Sequence, residues 1–176
     1  VTLIATVADP GNDQFSFRWL LSAPPIDVTT TTGTFVLPPG VPTGAVLRLE
    51  LLDDDQDPAM PLVQMTKLFI GTPGDDVVVV TPADLPAGGP QTAILIGLGG
   101  SDVLDARSLL PGQRANLDGG EGQDYLLGGS GDDQYFLHGG NDFANVIPVG
   151  RGIVGSPNYG GNDRYRLTPN SELTIV

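Results

Sequence analysis

Six aspartates in this chain occupy one kind of position. Asp76, Asp102, Asp124, Asp133, Asp142 and Asp163 each close a short run rich in glycine, and a strand-like run follows each. The pattern is plainest where two copies are consecutive. Gly119–Leu127 reads GGEGQDYLL and Gly128–Phe136 reads GGSGDDQYF, both fitting G-G-x-G-x-D-x-U-x with U large and apolar. A degraded third copy, LHGGNDFA, runs from Leu137 to Ala144. Glycine lets a turn take positive φ and aim its carbonyls inward, and the aspartate adds a carboxylate. A hard dication such as calcium takes about six to eight such oxygens, more than one turn supplies. The candidate metal ligands in the two full copies are Gly119, Glu121 and Asp124, then Gly128, Ser130 and Asp133.

The paired nonapeptides resemble the RTX (repeats-in-toxin) family. That resemblance implies a calcium-binding parallel β-roll, with six residues in each turn and three in each strand. It also implies an ion held between turns stacked on one edge, with the U side chains filling a narrow core. Three further copies carry weaker matches. Gly71–Val79 has Thr72 in place of the second glycine, with Asp76 and Val78 in register. Gly97–Asp105 supplies Asp102 and Leu104. Asn158–Arg166 supplies Asp163 and Tyr165 but lacks the first two glycines.

The spacing carries a topological expectation. One coil of an uninterrupted roll is two nonapeptides, so one edge recurs about every 18 residues. The aspartates step by 26, 22, 9, 9 and 21 residues. The long steps read as coils whose opposite turn is a longer loop: Thr81–Thr92, Arg107–Arg114 and Pro148–Pro157. Asp76, Asp102, Asp124, Asp142 and Asp163 then form one ladder, with up to four ions between its rungs, and Asp133 stands on the other edge. The competing reading treats the long steps as breaks that leave one short roll around residues 119–144.

Residues 1–70 have a different texture. Val1–Val7, Gln14–Leu20, Gly33–Leu37, Ala45–Leu52 and Leu62–Ile70 are strand-like, separated by turn residues and without helical period. The stretches ATVADPGNDQFSFRW and LRLELLDDDQD resemble a PKD-type or related immunoglobulin-like module. The resemblance implies a β-sandwich, here short of its usual opening strand, with Trp19 in its core. The acidic run Asp53–Asp57 reads as a solvated loop, with calcium binding as the alternative. The expected fold class is therefore all-β, with a sandwich over 1–70 and a parallel roll over 71–176.

Bulk composition narrows the function. The chain of 176 residues holds 25 Gly and 16 Pro, yet the glycines are periodic and 40% of residues are hydrophobic, so it is not disordered. A net charge of −13 argues against nucleic acid and anionic membranes, and suits neutralisation by divalent cations. There is no cysteine, so neither disulfides nor thiolate sites arise. No apolar run is long enough to span a bilayer. Catalysis is not expected: H-E-x-x-H and G-x-S-x-G are missing, and the one histidine, His138, stands at a turn glycine position. The start at Val1 within a strand reads as a fragment of a longer chain. Two expectations remain. One is a calcium-dependent structural or adhesive module of a large secreted or cell-surface protein, with calcium, neighbouring domains or other copies as partners. The other is the accessory region of a secreted protease or glycosidase whose catalytic domain lies elsewhere.

Overall fold

The computed structural model describes the chain apart from residues 6–13, 54–61, 86, 90, 138–139, 145, 150–151, 156–163, 168–170 and 174–176; from 140 onward only the backbone is described. The protein is all-β, with a parallel β-solenoid of about three turns.

Among the described residues six strands precede the roll: β1 (Thr2–Ile4), β2 (Phe15–Ser22), β3 (Pro25–Thr30), β4 (Thr34–Val36), β5 (Val46–Asp53) and β6 (Leu62–Ile70). Strands β3, β2, β5 and β6 pair antiparallel in that spatial order. Among the described residues β1 pairs only with β4, as a separate antiparallel ribbon. The described residues do not establish an immunoglobulin-like sandwich, because the antiparallel sheet does not end at β6. There β8 (Thr92–Ile96) pairs with it in parallel, and β11 (Arg114–Asp118), β14 (Gln134–Leu137) and β18 (Arg164–Leu167) follow. One sheet of eight strands thus runs from the N-terminal layer through one wall of the roll.

The other wall has five parallel strands: β7 (Val77–Val79), β10 (Val103–Asp105), β13 (Tyr125–Leu127), β15 (Gly140–Ala144) and β19 (Ser171–Leu173). Alternation along the strands sorts their side chains between two cores. Ala93, Leu95, Leu104, Ala115, Leu117, Leu126 and Tyr135 point between the walls and are fully buried. Leu104, Leu126 and Tyr135 are U positions of the repeat. The second core lies on the outer face of the long sheet, where Phe17, Trp19, Leu21 and Leu47 meet Leu68 and Ile96. Trp19 is 3% exposed and stacks on Phe35 of β4 at 5.4 Å.

Two of the three expected loops lie where the spacing puts them. Val80 leads into a 3-10 turn, Pro82–Asp84, and the chain returns at β8; Ala106 leads through 107–113 to β11. The third differs. β16 (Val146–Val149) and β17 (Gly152–Gly155) form an antiparallel hairpin across the expected loop Pro148–Pro157. The last step of the ladder also differs. Arg164 pairs with Gln134, so β18 extends the wall of β14, and the partner of β15 is β19. β18 thus enters from the edge of Asp133 rather than from that of Asp142. Asp163 itself, with His138 and most of the acidic run after Asp53, lies outside the described residues.

Candidate metal centre

Strand pairing sets the register of the turns. Val77, Val103 and Tyr125 are Cα partners across β7, β10 and β13, which stacks the preceding residues Asp76, Asp102 and Asp124. Phe143 continues that row, so Asp142 shares the edge by backbone position. Asp133 precedes β14 and stands on the opposite edge. The long steps are thus coils with looped-out opposite turns as far as Asp142, rather than breaks.

The rungs are tied together through their carboxylates. The N–H of Asp76 donates to Asp102 Oδ1 at 2.8 Å, and the N–H of Asp102 donates to Asp124 Oδ1, also at 2.8 Å. Asp102 and Asp124 are both 0% exposed. Asp102 Oδ2 is buried and finds no hydrogen-bond partner among the described residues. An orphaned carboxylate oxygen at full burial is costly unless a proton or cation meets it. Burial pushes the Asp102 carboxyl above its ordinary range; the donated N–H opposes this, and repulsion from Asp76 and Asp75 adds to it.

A backbone carbonyl oxygen meets Asp102 Oδ2 at the same place. A Cβ placed on Gly97 would lie 2.1 Å from Asp102 Oδ2 and 2.3 Å from the carbonyl oxygen of Gly119 in the next turn. Only glycine fits there, and what it admits is one carboxylate and one carbonyl from successive turns. The stack is close throughout: a Cβ on Gly122 would lie 1.6 Å from Gly100 O, and one on Gly120 would lie 2.2 Å from Leu98 O. Short parallel pairs between β9 (Gly99–Gly100) and β12 (Glu121–Gly122) hold these turns in register.

The expected ligands divide between two environments. Gly119 packs against the Asp124 carboxylate, while the Glu121 side chain is exposed. On the opposite edge both Asp133 oxygens accept main-chain N–H groups, from Ala115 and Gly129, each at 2.7 Å. Gly128 abuts the Asp133 carboxylate and the Tyr135 hydroxyl. Ser130 donates its hydroxyl to Leu109 O at 3.1 Å. Among the described residues no three His, Cys, Asp or Glu side chains converge as a metal cluster. The donor set on the Asp102 edge is therefore carboxylate oxygen plus main-chain carbonyl, chemistry that suits a hard cation and no soft one.

Thr72 is a neighbour of the candidate ligands that the repeat pattern does not single out. Its N–H and its hydroxyl both donate to Asp76 Oδ2, at 2.6 and 2.9 Å. The signal available in the sequence is a polar residue in a glycine slot, which by itself marks only a departure from the repeat.

Comparison with family models, curated proteins and solved structures returns no match. Among the described residues no helix is long and apolar enough to cross a membrane.

Proposed function

We propose that this chain is a calcium-binding structural and adhesive module of a large secreted or cell-surface protein, without catalysis of its own, and that its roll orders on meeting calcium outside the cell. The observation that supports this reading is Asp102: a fully buried carboxylate with one oxygen unmet, stacked between two other aspartates. Carboxylates on adjacent strands, about 5 Å apart, repel by about 3 kcal/mol per pair at an effective dielectric of about 20. Residues Asp102 and Gly119 are suited to hold the ion, with Asp124 completing the rung. Bound calcium would supply positive charge to a chain of net charge −13. A site that exists only in the folded roll turns binding energy into folding energy. Extracellular calcium modules bind at about 10⁻⁴ to 10⁻³ M, so such a roll stays unfolded in a calcium-poor cytosol.

The test is far-UV circular dichroism of the whole chain with chelator, with millimolar calcium and with magnesium. Strand signal from the roll should grow with calcium alone. A spectrum indifferent to chelator would sink the proposal.

A further inference from the structure

The four described turns that end in Gly-x-Asp do not share one conformation. In turns 97–102 and 119–124 the second and fourth residues are left-handed: Leu98 at φ 84° and Gly100 at 109°, Gly120 at 88° and Gly122 at 141°. In turns 71–76 and 128–133 the matching residues, Thr72 and Gly74, Gly129 and Gly131, are not left-handed. The aspartates divide in the same way. Where the second residue is not left-handed, its N–H donates to the turn's own carboxylate: Thr72 to Asp76 Oδ2 at 2.6 Å, and Gly129 to Asp133 Oδ2 at 2.7 Å. Where it is left-handed, no such bond forms at Asp102, whose buried Oδ2 finds no hydrogen-bond partner among the described residues.

We infer that these are two functional kinds of turn: open turns, which take the cation, and closed turns, in which the protein's own N–H stands where the cation would be. The inference rests on the calcium reading above and narrows it to the pair 97–102 and 119–124. Asp76 and Asp133 then serve as metal-independent stops at the start of one edge and on the other. An N–H aimed at a carboxylate oxygen meets the same lone pairs as a cation and repels that cation. At Asp76 the Thr72 hydroxyl adds a second donor, at 2.9 Å.

Each closed turn has a local cause. Pro73 follows Thr72, and its ring confines the preceding residue to the extended region, away from the left-handed conformation of Leu98 and Gly120. Gly129 faces Ala106 O and Leu109, and Gly131 faces Gln113 O, so on its described side this turn meets a loop rather than a homologous turn.

Calcium stoichiometry of the full chain, by equilibrium dialysis, tests this. Asp102→Asn should bind at least one ion fewer than wild type. Asp76→Asn and Asp133→Asn should bind as many as wild type. The double variant Thr72→Gly, Pro73→Glu restores the G-G-x-G-x-D pattern and should gain an ion. Loss of an ion in Asp76→Asn or Asp133→Asn, or no gain in the double variant, would overturn the division while leaving calcium binding intact. A wild-type chain that binds no calcium would overturn both. Should Asp102→Asn fail to fold in calcium, the double variant still decides by its gain or lack of gain.

Discussion

Leu68 and Phe69 are neighbours in sequence and face different cores. Leu68 is 0% exposed in the outer core with Trp19 and Leu47, and Phe69 packs against the core between the walls of the roll. Alternation along β6 makes this unavoidable, because successive side chains leave a strand on opposite faces. One strand thus couples the two hydrophobic clusters.

Leu68→Ala should therefore cost about 2–5 kcal/mol, the range for deleting a well-packed leucine. The loss should fall on both halves together. Trp19 fluorescence and far-UV ellipticity, followed through thermal unfolding in calcium, should shift by the same number of degrees. Separate transitions would show that β6 does not couple the cores.

The stacked glycines give a sharper contrast. Gly40 and Gly122 are both left-handed, at φ 79° and 141°. A Cβ on Gly40 meets nothing within 4 Å, while one on Gly122 would lie 1.6 Å from the Gly100 carbonyl oxygen. Gly40→Ala should cost only the conformational penalty, about 1–2 kcal/mol. Gly122→Ala must also push apart a pair of turns that touch through backbone, and should cost more than about 3 kcal/mol. Denaturant midpoints in saturating calcium measure both; equal losses would mean the turns are not in contact there.

How far this was legible depended on how local each signal was. The repeat pattern placed Asp76, Asp102 and Asp124 on one edge and Asp133 on the other, because strand period and turn length fix register from sequence alone. Two loops, after Val80 and after Ala106, followed from the same arithmetic. The arithmetic failed past Asp142, where a β16–β17 hairpin takes up most of the stretch assigned to a loop. A loop and a short hairpin read alike there, and only the pairing partner distinguishes them. The continuity of β6 with β8 was hidden for a related reason. A strand that ends one texture of sequence and begins another looks like a boundary, whereas its hydrogen bonds on both sides make it a junction. Thr72 is visible as a departure from the repeat, but its meaning lies in a bond to a residue four positions on.

The loop after Val80 should be sensitive to acid. Asp84 Oδ2 accepts from the N–H and the hydroxyl of Thr81, at 2.9 and 2.8 Å, and Lys67 lies 3.6 Å from Oδ1. The Thr81 N–H, helped by its hydroxyl and by Lys67, holds this carboxyl below its ordinary range against a burial cost. A carboxyl with a depressed folded pKa binds fewer protons folded than unfolded. Its contribution is thus present above the unfolded value, about 3.9, and is lost as pH falls through the folded one. Asp84→Asn should lower the melting temperature by a constant amount above about pH 5, and the gap to wild type should close below about pH 4. A gap that widened toward acid would contradict the assignment.

Cutting the chain at the change of texture should fail. A fragment of residues 71–176 begins after β6, yet β6 is the parallel partner of β8 along five residues, Thr66–Ile70 against Thr92–Ile96. Without β6 the first coil has no wall opposite β7, and Ala93 and Leu95, both 0% exposed, lose Phe69 from their core. A coil of a solenoid buries its apolar face only against its neighbours and needs a cap at its end. Extending the fragment to Leu62 restores that strand but leaves Leu68 and Ile96 without the Trp19 layer. The expected order of calcium-induced strand signal is therefore the whole chain first, residues 62–176 weaker, and residues 71–176 least. Should 71–176 order with calcium as fully as the whole chain, β6 would be a linker to the roll rather than its first wall.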